Sequence, residues 1–139
     1  MFRRLSLAAI AFIAPLLFAG QASAACVQAD LLGRWHAYAL TSERGGQSYW
    51  WHCQVEFTEQ GALAMGTCEA PRQPNARLAS GSLTLADPAN CAFQGAFAWE
   101  GSAAHVDHAT LSPEKSVISG VGATELSYFQ FTMIRIATH

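Results

Sequence analysis

The most regular feature of this chain is an alternation of apolar and polar positions in short runs. In the run Tyr49–Thr58, the apolar residues Trp51, Cys53, Val55 and Phe57 occupy every second position. Successive residues of a β-strand point to opposite faces, so this alternation predicts a strand with one buried face. Beyond residue 24, no long window shows the i, i+3, i+4, i+7 repeat of an amphipathic helix. The pattern therefore predicts an all-β protein.

Turn-forming residues divide the chain into eight predicted strands. In chain order, these strands are Gly33–Leu40, Tyr49–Thr58, Ala62–Glu69, Leu78–Leu85, Ala92–Trp99, Ala104–Leu111, Ser116–Gly122 and Tyr128–Ala137. Gln60–Gly61 and Pro71–Pro74 are two of the predicted turns, because glycine, proline and polar residues interrupt the alternation there. One short helical piece is expected at Val27–Leu32. Strands that follow one another at this spacing are typical of an antiparallel meander.

Residues 1–24 have the three parts of a secretory signal peptide in the usual order. Two arginines precede the apolar run Leu7–Ala19, and small residues follow it up to Ala24. The apolar run is shorter than the roughly 20 residues that a membrane-spanning helix needs. We therefore expect cleavage after Ala24, a single mature domain at 25–139, a periplasmic or secreted location, and no membrane span.

Lipidation of Cys26 is an alternative outcome of export. The sequence Ser23-Ala24-Ala25-Cys26 resembles a lipoprotein cleavage site, although such sites usually carry leucine where this chain has Ser23. An unmodified mature N-terminus is the favoured interpretation.

The four cysteines, Cys26, Cys53, Cys68 and Cys91, all follow the predicted cleavage site. An even number of cysteines in an exported protein predicts two disulfides, for which three pairings exist. A two-residue hairpin turn at Gln60–Gly61 would place Cys53 directly opposite Cys68. This favours a Cys53–Cys68 disulfide and leaves Cys26 to pair with Cys91. A thiolate metal site is the alternative, but the chain has no C-x-x-C spacing.

Composition and charge exclude several classes of function. Hydrophobic residues make up 51% of the chain and charged residues only 13%, which describes a packed globular chain and not a disordered one. The formal charge of −2 provides no positive field that would attract nucleic acid. The chain contains no G-x-S-x-G, H-E-x-x-H, P-loop or G-x-G-x-x-G motif. We therefore expect a protein that is not an enzyme, has no cofactor and binds no nucleic acid.

Two groups of histidines are the candidates for a metal site. In the segment His105–His108, the two histidines would point to opposite faces of a strand unless a bulge intervened, whereas His105 and Asp107 would share a face. His36 and His52 are predicted to lie on the outer faces of adjacent strands, where they approach each other. Exposed histidines are the favoured interpretation in both places, and no metal is predicted.

The start of the first predicted strand carries a family resemblance. Leu32-Gly33-Arg34-Trp35 resembles the G-x-W entry of the calycin group, which includes lipocalins, avidins and bacterial metalloprotease inhibitors. The resemblance implies an eight-stranded up-and-down β-barrel in which a basic residue of the last strand packs over the tryptophan. Arg135 is the residue implied for that contact with Trp35, so Gly33, Trp35 and Arg135 are expected to have structural roles.

The aromatic residues predicted to face inward suggest a binding site inside such a barrel. The interior of an eight-stranded barrel is either filled by side chains or wide enough for one small ligand, and the sequence leaves both possibilities open. The leading prediction is a small apolar ligand in the barrel, lined by Trp51, Phe93, Phe97 and Phe131.

The alternative function is an inhibitor or adaptor of an exported protease or other periplasmic protein. On that interpretation the barrel is a scaffold, and the partner surface includes Trp50 and His52 on the outer face. Whether Trp50 is exposed or lies under the loop at residues 43–48 is open at this stage.

Overall fold

The structure is a computed structural model that describes residues 25–71 and 73–137. Its eight antiparallel strands form a closed barrel in which each strand pairs with its sequence neighbours and the last strand pairs with the first. The strands are β1 (Gly33–Glu43), β2 (Ser48–Phe57), β3 (Leu63–Ala70), β4 (Gln73–Asp87), β5 (Ala92–Trp99), β6 (Ser102–Leu111), β7 (Val117–Thr124) and β8 (Ser127–Arg135). The predicted up-and-down barrel is therefore confirmed.

One predicted turn differs from the structure, and the predicted short helical piece is present. The segment Pro71–Pro74 is predicted as a turn, but β4 begins at Gln73 and includes Pro74. Proline is tolerated here because the β3–β4 ladder is irregular near its end, and a residue that lacks an N–H costs little where the ladder is interrupted. The predicted helical piece at Val27–Leu32 is a short 3-10 helix, η1, at Gln28–Leu31.

The β2–β3 hairpin keeps the predicted register but not the predicted turn. Cys53 lies directly opposite Cys68 in the ladder, as the sequence predicts. The register then shifts between Glu56 and Phe57, so that Phe57 pairs with Leu63. Gly61 adopts a φ of 76°, a left-handed conformation that a glycine accepts without strain.

Both predicted disulfides are present. Cys26–Cys91 ties the segment ahead of η1 to the start of β5, and its partners are 65 positions apart in sequence. Cys53–Cys68 joins β2 to β3, with partners 15 positions apart. One disulfide therefore anchors the N-terminal segment, and the other links neighbouring strands of the wall.

Arg135 closes one end of the barrel by packing over Trp35. The Arg135 guanidinium carbon lies 4.2 Å from the centroid of the fully buried Trp35 ring, so the contact implied by the sequence resemblance is confirmed. Arg135 donates hydrogen bonds to three backbone carbonyls, those of Lys115, Leu32 and Asp30. The Trp35 indole N–H donates to the Leu31 carbonyl at 3.0 Å. We call this arrangement the floor of the barrel.

The Asp30 carboxylate also belongs to the floor. Burial alone would raise its pKa, but the hydrogen bonds from Lys115 and the Val27 N–H and the charges of Lys115 and Arg135 outweigh that effect. The pKa of Asp30 is therefore lowered, and the carboxylate stays ionised beside the two cations. Burial in turn lowers the pKa of Arg135, and the negative charge of Asp30 opposes that shift.

The predicted signal peptide at 1–24 lies outside the described residues. Within the described part of the chain, no helix has the length and apolar character needed to cross a membrane.

Candidate functional site

The barrel contains an apolar cavity of about 130 Å³ that is partly open to solvent. The floor and η1 close one end, and the cavity extends towards the opposite end, where β1 ends and β8 begins. Apolar residues supply most of the lining, and among residues 25–71 and 73–137 no charged side chain takes part. The aromatic lining residues are Tyr49, Trp51, Phe97, Trp99, Phe129 and Phe131. The choice between a filled and a hollow interior, which the sequence leaves open, is thus resolved as a hollow one.

Glycines in the barrel wall explain why the cavity remains. A Cβ atom added at Gly120 would lie 2.6 Å from Cζ of Phe131, and one added at Gly122 would lie 2.5 Å from Cζ of Phe129. Both rings therefore lie against the backbone of β7 instead of projecting to the barrel axis. Gly81 of β4 accommodates the ring of Phe97 in the same way.

Replacing Gly120 with alanine is expected to lower the free energy of unfolding by about 1–3 kcal/mol, because the new methyl group would overlap both Phe131 and the His108 carbonyl. Urea unfolding measures the loss. The control is Gly45→Ala, where nothing lies within 4 Å of the added Cβ, and we expect a change within about 0.5 kcal/mol. Equal stabilities for the two variants would contradict the proposed packing.

Three of the four aromatic residues predicted to contact ligand line this cavity: Trp51, Phe97 and Phe131. Phe93 does not line it. Its side chain is 0% exposed and belongs to the core near the floor, where β5 begins. The alternation correctly assigned Phe93 to the inner face but carries no information about depth along the barrel, so the expectation that it contacts ligand is corrected.

An aromatic group lies at the open end of the cavity. The rings of Trp51 on β2 and Trp99 on β5 have centroids 6.3 Å apart, and Tyr49 lies 6.0 Å from Trp51 by the same measure. Trp51 and Trp99 belong to strands that are not neighbours, so their contact spans the inside of the barrel in front of β3 and β4.

Besides Tyr49, three aliphatic hydroxyl side chains line the cavity at the end of the barrel away from the floor: Thr41, Thr124 and Ser127. They come from the adjacent strands β1, β7 and β8. Sequence reasoning missed them because the predicted strands stop at Leu40 and Gly122 and start again at Tyr128. The alternation itself would have indicated Thr41, which continues the inner series of Trp35.

The outer face of the barrel carries an exposed apolar patch, which we define as Tyr38, Leu40, Trp50 and Val121. Trp50 is 52% exposed and faces solvent next to Leu40, with which it pairs across β1 and β2. The loop at residues 44–47 therefore does not bury it. His52 borders this patch, and its ring stacks on that of Tyr38 with centroids 4.8 Å apart.

Neither histidine group forms a metal cluster in the structure. His36 and His52 approach each other as predicted, with Nδ1 and Nε2 3.3 Å apart. A register shift between Val106 and His108 is the bulge that brings His105 and His108 both to exposed positions. Among residues 25–71 and 73–137, however, no three His, Cys, Asp or Glu side chains converge as metal ligands.

Comparisons with solved structures find the same fold in other proteins. A redesigned β-barrel bound to DFHBI superposes with a TM-score of 0.59 and 14% identity, over 78% of this chain and 100% of that chain. A de novo designed fluorescence-activating β-barrel gives a TM-score of 0.55 and 13% identity, over 80% of this chain and 100% of that chain. The S-type phycobiliprotein lyase of Guillardia theta gives 0.51 and 10%, over 81% of this chain and 92% of that chain.

These comparisons show that the chain shares the β-barrel fold of those proteins. Because none of the three identities exceeds 14%, they show the fold alone. Neither protein-family profiles nor the sequences of curated proteins match this chain.

Proposed function

We propose that this protein is an exported, non-enzymatic binding protein that takes a small apolar molecule in the barrel cavity. The observation that carries the proposal is the cavity of about 130 Å³ beneath the Trp51–Trp99 pair, with its largely apolar lining. A cavity of similar size lined by aliphatic and aromatic side chains is known to stay dry and to bind benzene. Among the similar structures, one barrel is bound to DFHBI and another is described as fluorescence-activating.

The physical driving force would be burial of the ligand's apolar surface. A single-ring ligand presents roughly 200 Å² of surface, and burying it at about 25 cal/mol per Å² contributes about 5 kcal/mol before the cost of association. Affinity for the smallest ligands is therefore modest, and ligands that also contact the aromatic group at the open end bind more tightly.

The proposal includes two further points: that the protein is exported, and that it is related to the calycin group. Two disulfides are typical of proteins from oxidising compartments, which supports a periplasmic or secreted location with residues 1–24 as a removable signal peptide. The packing of Arg135 over Trp35, with Gly33 at the head of β1, supports a relationship to the calycin group.

The proposal is tested with a variant in which a larger side chain fills the cavity. Ala104 is buried and lines it, whereas Ala103 is the exposed neighbour in the same strand. We expect cumene to perturb the amide NMR signals of residues around the cavity in the wild-type protein and in Ala103→Phe, but not in Ala104→Phe. The dispersion of the same spectra verifies that each variant is folded. Absence of binding to the wild type, or unchanged binding to folded Ala104→Phe, would contradict the proposal.

Binding to an exported protein partner is a second candidate function, favoured by the exposed patch around Trp50. Native mass spectrometry of the protein isolated from its own compartment separates the two candidates. A retained small molecule supports the cavity, whereas a protein complex that Trp50→Ser abolishes and Tyr128→Ser leaves intact supports the patch.

A further inference from the structure

The polar groups at the open end of the cavity narrow the class of ligand. The inference rests on the proposed function, since it concerns the same cavity. The hydroxyls of Thr41, Thr124 and Ser127 lie on adjacent strands along one side of the lining, and the aromatic side chains of β2 and β5 occupy other parts of it. What these hydroxyls can offer depends on which of their hydrogens and lone pairs are already engaged.

The hydrogen-bond directions around Thr124 follow from its neighbours. Thr124 Oγ1 accepts the backbone N–H of Leu126 at 3.2 Å and that of Ser127 at 3.0 Å. A hydroxyl oxygen has two acceptor lone pairs, so both are engaged. Thr124 Oγ1 also lies 2.7 Å from Ser127 Oγ, and in this contact Thr124 must therefore be the donor.

This assignment leaves the Ser127 hydroxyl hydrogen available. Ser127 Oγ accepts from Thr124, and no acceptor among the described residues receives the hydrogen of Ser127 itself. The residue is 4% exposed and lines the cavity, so bulk water has little access to it. The Ser127 hydroxyl is thus a buried donor whose hydrogen has no acceptor among the described residues. Leaving a buried donor unpaired is unfavourable.

We propose that the cavity selects uncharged ligands that carry a hydrogen-bond acceptor oxygen, such as a carbonyl or ether oxygen, to which Ser127 donates. The apolar body of the ligand packs more deeply, against Val55 and Met133, and the oxygen lies near the open end. We expect an ionised ligand to be rejected, because no lining side chain among the described residues carries a compensating charge and an unpaired charge is strongly disfavoured in an apolar site.

The test uses cumene, acetophenone and benzoate, three single-ring molecules of similar shape. Cumene has no polar atom, acetophenone adds one carbonyl oxygen, and benzoate adds a charge. Dissociation constants are measured by NMR titration of the full chain, its Ser127→Ala variant and the control Ser42→Ala, whose hydroxyl lies on the outer face beside Ser48.

We expect Ser127→Ala to weaken acetophenone binding about tenfold and to leave cumene binding within twofold, while Ser42→Ala changes neither. Benzoate is expected not to bind. Equal effects of Ser127→Ala on cumene and acetophenone, or binding of benzoate as tight as that of acetophenone, would overturn the inference. If cumene itself fails to bind the wild-type protein, the proposed function fails, and the two failures are thus distinguishable.

A second measurement does not depend on the alanine variant. The infrared C=O stretch of bound acetophenone is expected at lower frequency than in hexane, because a donated hydrogen bond weakens the carbonyl bond. Ser127→Thr, which keeps the hydroxyl, should preserve this shift. A stretch at the hexane frequency in the wild-type complex would also overturn the inference.

Discussion

Replacing Arg135 with alanine is expected to lower the free energy of unfolding by about 3–5 kcal/mol. The substitution removes the donor to three backbone carbonyls, those of Asp30, Leu32 and Lys115. It also removes the cation that lies 4.2 Å from the ring of Trp35. Carbonyls that lose a partner near the floor, together with an uncovered indole, account for the size of the effect. Urea unfolding followed by tryptophan fluorescence measures it.

Arg34→Ala is the matched control, since Arg34 lies at the same end of the barrel, on the neighbouring strand β1, and is exposed. Arg34 Nε lies 4.0 Å from Glu56 Oε2. An exposed ion pair of this kind contributes between about 0 and 1 kcal/mol to the free energy of unfolding. Arg135→Lys should fall between the control and the alanine variant, because an ammonium group cannot form the same planar set of donations. Similar losses for Arg34→Ala and Arg135→Ala would contradict the role assigned to the floor.

Removing the Cys26–Cys91 disulfide by a double substitution to alanine is expected to lower the free energy of unfolding by about 4 kcal/mol on the chain-entropy model. This link closes a loop between residues 65 positions apart, and the unfolded chain gains the corresponding freedom when the link is lost. The folded state also loses the tie that holds η1 over the end of the barrel. Chemical unfolding under non-reducing conditions measures the change.

The Cys53–Cys68 disulfide provides the comparison, since it closes a loop of only 15 positions. The same model gives about 3 kcal/mol for its removal. The two double variants should also differ in function, because Cys53 and Cys68 line the cavity and Cys26 and Cys91 do not. We therefore expect altered cumene affinity only when Cys53 and Cys68 are replaced. A stability loss below about 1 kcal/mol for the Cys26 and Cys91 variant would contradict the anchoring role.

The predicted strands agree best with the structure where a single face is clearly apolar. Residues Ala92–Trp99 were predicted with their observed bounds, and the register of the β2–β3 ladder was correct at Cys53 and Cys68. Strand ends were less accurate. β4 is longer than predicted because pairing with β3 extends it back to Gln73, and pairing with β5 extends it forward to Asp87, beyond the apolar run.

The sequence by itself determined the strand order, the inner and outer faces and both disulfides, and its resemblance to the calycin group implied the Arg135–Trp35 contact. Each of these depends on alternation or on a short motif, which are local properties of the chain. Only the tertiary structure decided that the barrel is hollow, that Phe93 lies outside the cavity and that Ser127 presents a donor inside it. These features depend on contacts between side chains of different strands. Two things determine those contacts: the β-bulges, and the packing of aromatic rings on glycines of neighbouring strands.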